Sequence, residues 1–241
     1  AAFSSLGPST GGSLVKPELV APGTDLYMAT QDFDPLGIMY TGSRYVSASG
    51  TSFATPLVSG AAALVCQRHP GFTAAQVRSA LINTASGAVT TDSSGAAVTP
   101  QSVGAGKLDA LAAVNTAVTV EPSTVSFGVL GAGMLPLARE LRISNTAATA
   151  LTLNLTVESA VSADGTSLTI DRTSLSVPAN SSAVLNLALT GAMPKAGAYS
   201  GTVKIEGPGV TLRVPYQYFV STGVPANLIG LAGGGGGTVG Q

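Results

Sequence analysis

The chain has 241 residues, a net charge of −1 and only 10% Asp, Glu, Lys and Arg. That balance supplies no basic footprint for a nucleic acid or an anionic membrane surface. A single cysteine, Cys66, excludes an intrachain disulfide, and no apolar run is long enough to span a bilayer.

The length accommodates one to two domains, and the pattern changes near residue 118. Before it, helical segments alternate with apolar strands, expected around Val20 and over 38–46. The run 54–66 is small and apolar, as in a buried helix, and Gly50 lets the backbone turn sharply ahead of it. Pro56 reads as first-turn, where its missing N–H costs nothing. Cys66, inside this helix, is expected to be a buried, inert thiol. His69 reads as a surface-loop residue and Asp25, Asp32 and Asp34 as solvated loop carboxylates.

After residue 118 the helical pattern ends. Seven short alternating strands are expected, at 124–130, 139–144, 150–158, 168–171, 183–190, 199–206 and 210–219. Seven strands in about a hundred residues is the signature of an immunoglobulin-like sandwich. Tyr199, Tyr216, Tyr218 and Phe219 read as core rather than as a recognition surface, and Pro215 argues for an edge position or a bulge. Asn154 and Asn180 head N-x-S/T sequons, which carry no meaning in a bacterial protein. From residue 223 the chain runs into the glycines of 233–237, a linker or tail of high chain entropy.

The chemistry centres on 49–56, Ser-Gly-Thr-Ser-Phe-Ala-Thr-Pro. Ser52 stands between the glycine turn and the start of the helix. A hydroxyl there sits among unpaired backbone N–H groups and the positive end of the dipole, so an oxyanion forming on a carbon bonded to it is stabilised. Read alone, capping is the commoner role for such a serine.

Gly50, Thr51, Ser52, Ala54 and Pro56 match in full the motif Gly-Thr-Ser-x-Ala-x-Pro, and the segment resembles the serine motif of the subtilisin-like proteases. Other segments follow in the family's order: Phe3-Ser4-Ser5-Leu6-Gly7-Pro8, Lys16-Pro17-Glu18-Leu19-Val20-Ala21-Pro22-Gly23, the stretch from His69 through Thr73 to Leu81, and Gly104-Ala105-Gly106. The resemblance covers residues 1–117. It implies the C-terminal part of an α/β, parallel-sheet peptidase domain, and through Asn145-Thr146, the phrase 176–181 and the phrase 197–201 the immunoglobulin-like part, 118–222, resembles the fibronectin type III-like domains appended to large bacterial subtilisin-like proteases. Phe53 stands where many family members carry methionine.

In that family an aspartate and a histidine precede the serine, and an asparagine completes the oxyanion hole. None of the three lies in the matching segments. The resemblance therefore implies that Ser52, supported by Gly50, Thr51, Ala54 and Pro56, acts on a protein or peptide substrate only with a complementary N-terminal half, as a separate chain or as upstream sequence. Alone, the chain is expected to be inactive. The alternative is a catalytically inactive structural, adhesive or assembly protein on a protease-derived scaffold. Composition fits a secreted or cell-surface protein. No metal ligands are identified, and scattered aspartates leave structural calcium open. Ala1 in place of methionine fits a processing site or a boundary of the sequence.

Overall fold

A computed structural model describes residues 1, 3–89, 95, 98–161 and 164–221. The stretch expected to be a Gly-rich tail, 223–241, lies outside the described residues. The first part of the chain holds an antiparallel hairpin, β1 (Leu26–Ala29) and β2 (Tyr45–Ala48), and four helices, α1 (Thr51–Arg68), α2 (Ala74–Asn83), α3 (Pro100–Val103) and α4 (Ala110–Asn115). Among the described residues of this part, parallel pairing is reduced to one bridge, Val20 to Lys107. A parallel sheet needs several strands buried on both faces, and two short segments make only a bridge. The strand expected over 38–46 also moves, because residues 30–44 form the hairpin's loop and pairing begins at Tyr45. Gly42 interrupts that run, and the Gln31 side chain ties the loop across itself, donating to the carbonyls of Asp34 and Ile38.

α2 starts on a capping box that its sequence announces. Thr73 Oγ1 accepts from the Gln76 N–H at 3.2 Å, and Gln76 Oε1 accepts from the Thr73 N–H at 2.9 Å, an arrangement that stabilises a helix end by about 1 kcal/mol. The helix then packs Ala80 and Leu81 against Ala61 and Val65 of α1 and Ala113 of α4. This is a small core.

The second part is a sandwich of β3 (Val118–Glu121), β4 (Val125–Leu130), β5 (Leu137–Asn145), β6 (Leu151–Val161), β7 (Thr166–Ile170), β8 (Ser174–Val177), β9 (Ser181–Gly191), β10 (Gly197–Gly207) and β11 (Val210–Val220). One sheet runs β4-β11-β10-β6-β8 and the other β3-β5-β9-β7. Among the described residues this part thus has nine strands rather than seven. β3 and β8 are each four residues long, and their two inward side chains, Val118 and Val120 or Leu175 and Val177, are too few to establish a period. Between the sheets lie fully buried Leu141, Ile143, Leu155, Leu185, Leu187 and Ile205, each stabilising by about 2 kcal/mol through the apolar area it hides. Tyr216 and Tyr218 join this core, and Tyr199 stacks on Tyr218 at 5.1 Å. Pro215 is not on an edge strand, since β11 lies between β4 and β10. It pairs with Thr202 on one side, whereas pairing with β4 begins one residue later, at Tyr216. Locally, Pro215 has one neighbour.

The outer face of the five-stranded sheet is covered by the first part of the chain. Ser126 Oγ and Gln217 Nε2 both donate to the Ser13 carbonyl, at 2.6 and 2.8 Å, and Arg213 Nε donates to the Ala105 carbonyl at 2.9 Å. Asn83, the last residue of α2, is fully buried. Its Nδ2 donates to the carbonyls of Ser123 (2.8 Å) and Arg213 (2.9 Å), and its Oδ1 accepts from Ser79 Oγ, which itself accepts from the Val120 N–H at 2.7 Å. The helices form a third layer over the sandwich.

Asn83→Leu preserves bulk but leaves two buried carbonyls without a donor, so it is expected to lower stability by about 2–4 kcal/mol. In chemical denaturation the helical and tyrosine signals should shift together; a shift in the helical signal alone would mean that the junction does not couple the layers.

Burial pushes the Tyr218 phenol up to about 12, with Tyr216 and Tyr199 adding to the shift, and burial also raises Tyr216 despite its hydrogen bond to Ser159. An unfolded phenol titrates near pH 10. The neutral phenols therefore contribute stability that is complete below about pH 10 and lost as pH rises toward 12. Melting temperature should stay level up to about pH 10 and then fall, less steeply in Tyr218→Phe; equal slopes would place the alkaline transition elsewhere.

Candidate functional site

α1 begins directly after Gly50, with no side-chain cap and no acidic residue in its first turn. The N–H groups of Phe53 and Ala54 donate to the Gly50 carbonyl, at 3.1 and 3.4 Å, while those of Thr51 and Ser52 precede this pair and have no intrahelical acceptor. Ser52, second residue of the helix, is exposed. Its hydroxyl thus stands at an uncapped positive helix end, the arrangement expected from the sequence. The backbone of Gly50 is extended (φ 160), so conformational freedom is not what requires glycine there, and a Cβ would meet the Phe53 ring at 3.4 Å, an ordinary contact.

The turn is held from behind by the 16–23 strap. The Gly50 N–H donates to the Gly23 carbonyl at 2.7 Å, and Ser49 Oγ accepts from the Asp25 N–H at 2.8 Å. A Cβ on Gly23 would meet the Gly50 carbonyl at 2.9 Å and Ala54 at 3.1 Å, so the strap lies flush against the serine turn only with glycine there. The strap is in turn anchored at Glu18, which pairs with Lys16 at 3.2 Å and with Arg78 of α2. Gly104, at φ +60, lets the closing segment pass so near the Glu18 carbonyl that any Cβ would collide with it. Val20 then accepts from Leu108 and donates to Gly106. These contacts bring the separated motifs into one constellation. The Glu18–Arg78 pair was the part of it that spacing alone did not reveal; its signal was the opposite charge of Glu18 and Arg78 in two separated motifs.

A cleft of about 470 Å³ opens beside the turn, between Gly50, Thr51 and Ala54 on one side and Phe3, Leu6, Val20 and Pro22 on the other. Ser52 is not among its walls.

Several expectations change. Pro56 is not in the first turn but inside α1, and as a residue without an N–H it leaves the Ser52 carbonyl without its i+4 donor. His69 is half-buried rather than a surface-loop residue: it ends α1, stacks on Phe72 at 4.3 Å, and its Nε2 meets the Val114 carbonyl at 2.8 Å. It joins α1 to α4. The full length of α1 separates it from Ser52, about 25 Å along the axis. Cys66 is exposed, not buried, because α1 buries only Ala61 and Val65 and leaves Leu57 and Leu64 open as well. Asp32 pairs with Arg44 at 2.6 Å, and Asp34 accepts from the Leu36 N–H, so these carboxylates serve the hairpin loop. Among the described residues no three His, Cys, Asp or Glu side chains converge as metal ligands, and no helix is long and apolar enough to cross a membrane.

Residues 1–106 match the subtilase family. Minor extracellular protease Vpr of Bacillus subtilis (strain 168) is 29% identical over 88% of this chain and 26% of its own length, and a CO(2)-response secreted protease of Arabidopsis thaliana is 36% identical over 52% of this chain and 17% of its own. The chain thus spans about a quarter or less of the length of these curated relatives. Among solved structures, the CupB2 chaperone of Pseudomonas aeruginosa is similar over 45% of this chain and 59% of that one, at 17% identity and a TM-score of 0.36.

With no imidazole within reach of Ser52, the 241-residue chain is expected to form no stoichiometric adduct with a fluorophosphonate, because an unassisted serine hydroxyl is a weak nucleophile at neutral pH. Intact-mass spectrometry checks this. A full-occupancy adduct on Ser52 would show that activation comes from within the chain.

Proposed function

We propose, from the membership of residues 1–106 in the subtilase family, that this chain is the nucleophile-bearing part of a secreted or cell-surface serine endopeptidase. The observation that carries the proposal is the exposed Ser52 at an uncapped helix N-terminus, with the family's flanking segments packed behind it. Names of the relatives, a secreted protease and an extracellular protease, support the location and the reaction class.

In this reading Ser52 Oγ attacks the scissile carbonyl carbon of a protein or peptide substrate. Its proton passes to an imidazole supplied, with its aspartate, by sequence outside this chain. The carbonyl π pair moves onto oxygen, where the Ser52 N–H and the helix dipole meet it, joined by an asparagine amide from the same outside sequence. Collapse of this intermediate breaks the C–N bond, the imidazolium protonates the leaving amine, and water releases the acyl group by the reverse sequence. Gly50 and Thr51 set the turn that aims the hydroxyl. Ala54 lets the strap approach, and Pro56 fixes the helix just beyond it.

The test is kinetic. In the complete protein, Ser52→Ala should lower peptide hydrolysis by at least about 10⁴-fold while the melting temperature stays within the range of an exposed substitution. Hydrolysis that survives the substitution would place the nucleophile elsewhere, whereas a complete protein that hydrolyses no peptide before substitution would favour the inactive, protease-derived scaffold.

A further inference from the structure

Resting on the reading of Ser52 as the nucleophile, we propose that β1, β2 and their loop form a recognition arm that binds an extended polypeptide stretch of apolar and basic side chains, several residues away from the bond attacked. The loop carries Leu36, Ile38 and Phe33 at 97%, 90% and 83% exposure, and on the hairpin Tyr27 and Tyr45 stack at 5.3 Å while both stay open to solvent. Large apolar groups gathered on a surface in this way mark an interaction site.

The arm is built to hold this shape. Gln31 Oε1 accepts from the N–H groups of Phe33 and Asp34, Thr30 Oγ1 donates to the Met39 carbonyl at 2.6 Å, and Arg44 pairs with Asp32. Asp25, Met39 and Arg44 adopt φ of 52, 62 and 64. Left-handed conformations in residues other than glycine are strained and persist where their surroundings over-determine them. A loop that displays apolar side chains from a fixed backbone loses little entropy when it binds.

Position and charge select the occupant. β2 ends at Ala48, four residues before Ser52, so Tyr45 stands within about 23 Å of the hydroxyl, the reach of about seven residues of extended chain. The arm carries Asp32 and Asp34 against Arg44 alone, and with Asp25 at its base the stretch 25–48 has a net charge of −2. Two copies meeting arm to arm would bring like charges together, and an anionic lipid surface would repel the arm. A substrate stretch with Leu, Phe and Lys complements it.

Binding can be read without turnover in the complete protein carrying Ser52→Ala. The probe is a fluorescein-labelled peptide of about fourteen residues, with Leu, Phe and Lys spaced among Ser and Gly, followed by fluorescence anisotropy. Adding Phe33→Ser, Leu36→Ser and Ile38→Ser should weaken binding about tenfold without lowering the melting temperature. Asp34→Asn, which keeps an acceptor for the Leu36 N–H, should weaken binding of the Lys-containing peptide and spare a version with Gln in place of Lys. Equal affinity in all variants overturns the proposal, as does arm-dependent self-association by sedimentation, or arm-dependent binding to phosphatidylglycerol vesicles, in place of peptide binding. None of these outcomes bears on whether Ser52→Ala abolishes hydrolysis, so failure of the arm and failure of the nucleophile are separable.

Discussion

The structure turns on a buried polar junction. Asn83 closes α2 by satisfying two carbonyls of the sandwich, and Ser79, one turn earlier, satisfies a sandwich N–H. Buried polar groups are costly when unpaired and directional when paired, so this cluster specifies one seating of the helices on the sheet, whereas apolar contact alone would tolerate sliding. Gln217, Ser126 and Arg213 repeat the device along the same face, each aimed at a backbone carbonyl of the first part. The helical part has a core of few and mostly small side chains, and its position comes as much from these hydrogen bonds as from hydrophobic burial.

From that seating the rest follows in order. α2 carries α1 against its small residues, and its Arg78 draws Glu18 and the strap into place. The strap holds the turn at Gly50, and the turn presents Ser52. What this arrangement does not provide is a partner for the remaining sides of α1, where Leu57, Leu64 and Cys66 lie open. An 18-residue helix with two buried residues is poorly explained as the end state of a packed domain, and the exposed side chains suit the complementary half proposed for the complete protein.

Much of this was legible in the residues. The Thr73–Gln76 cap, the alternating leucines of β6 and β9 and the tyrosines of β11 each follow a local rule that packing did not override. The serine motif was legible because its residue types and spacing leave little room for coincidence. Asn83 was not legible: an asparagine at the end of a helix reads as a solvent-facing cap, and only the fold reveals a sheet above it. Cys66 and Pro56 failed for related reasons. Burial was inferred from composition where it depends on what lies opposite, and the helix start was placed later than the uncapped turn that begins at Thr51. The four-residue strands β3 and β8 fall below the length at which alternation becomes a signal.

The hydrogen bond from Gln217 to the Ser13 carbonyl joins positions 204 apart in the chain, and β11 also supplies the partner that β4 lacks. Contacts of such sequence separation close late, because the loop entropy must be lost before they reward it. During synthesis the Ser13 carbonyl meets its first donor, Ser126, 113 positions later and its second, Gln217, 204 positions later. Until β11 emerges the sheet edge at β4 is unpaired, which leaves the nascent chain open to aggregation in that interval. The seating of the helical part on the sandwich is thus completed only when β11 is in place.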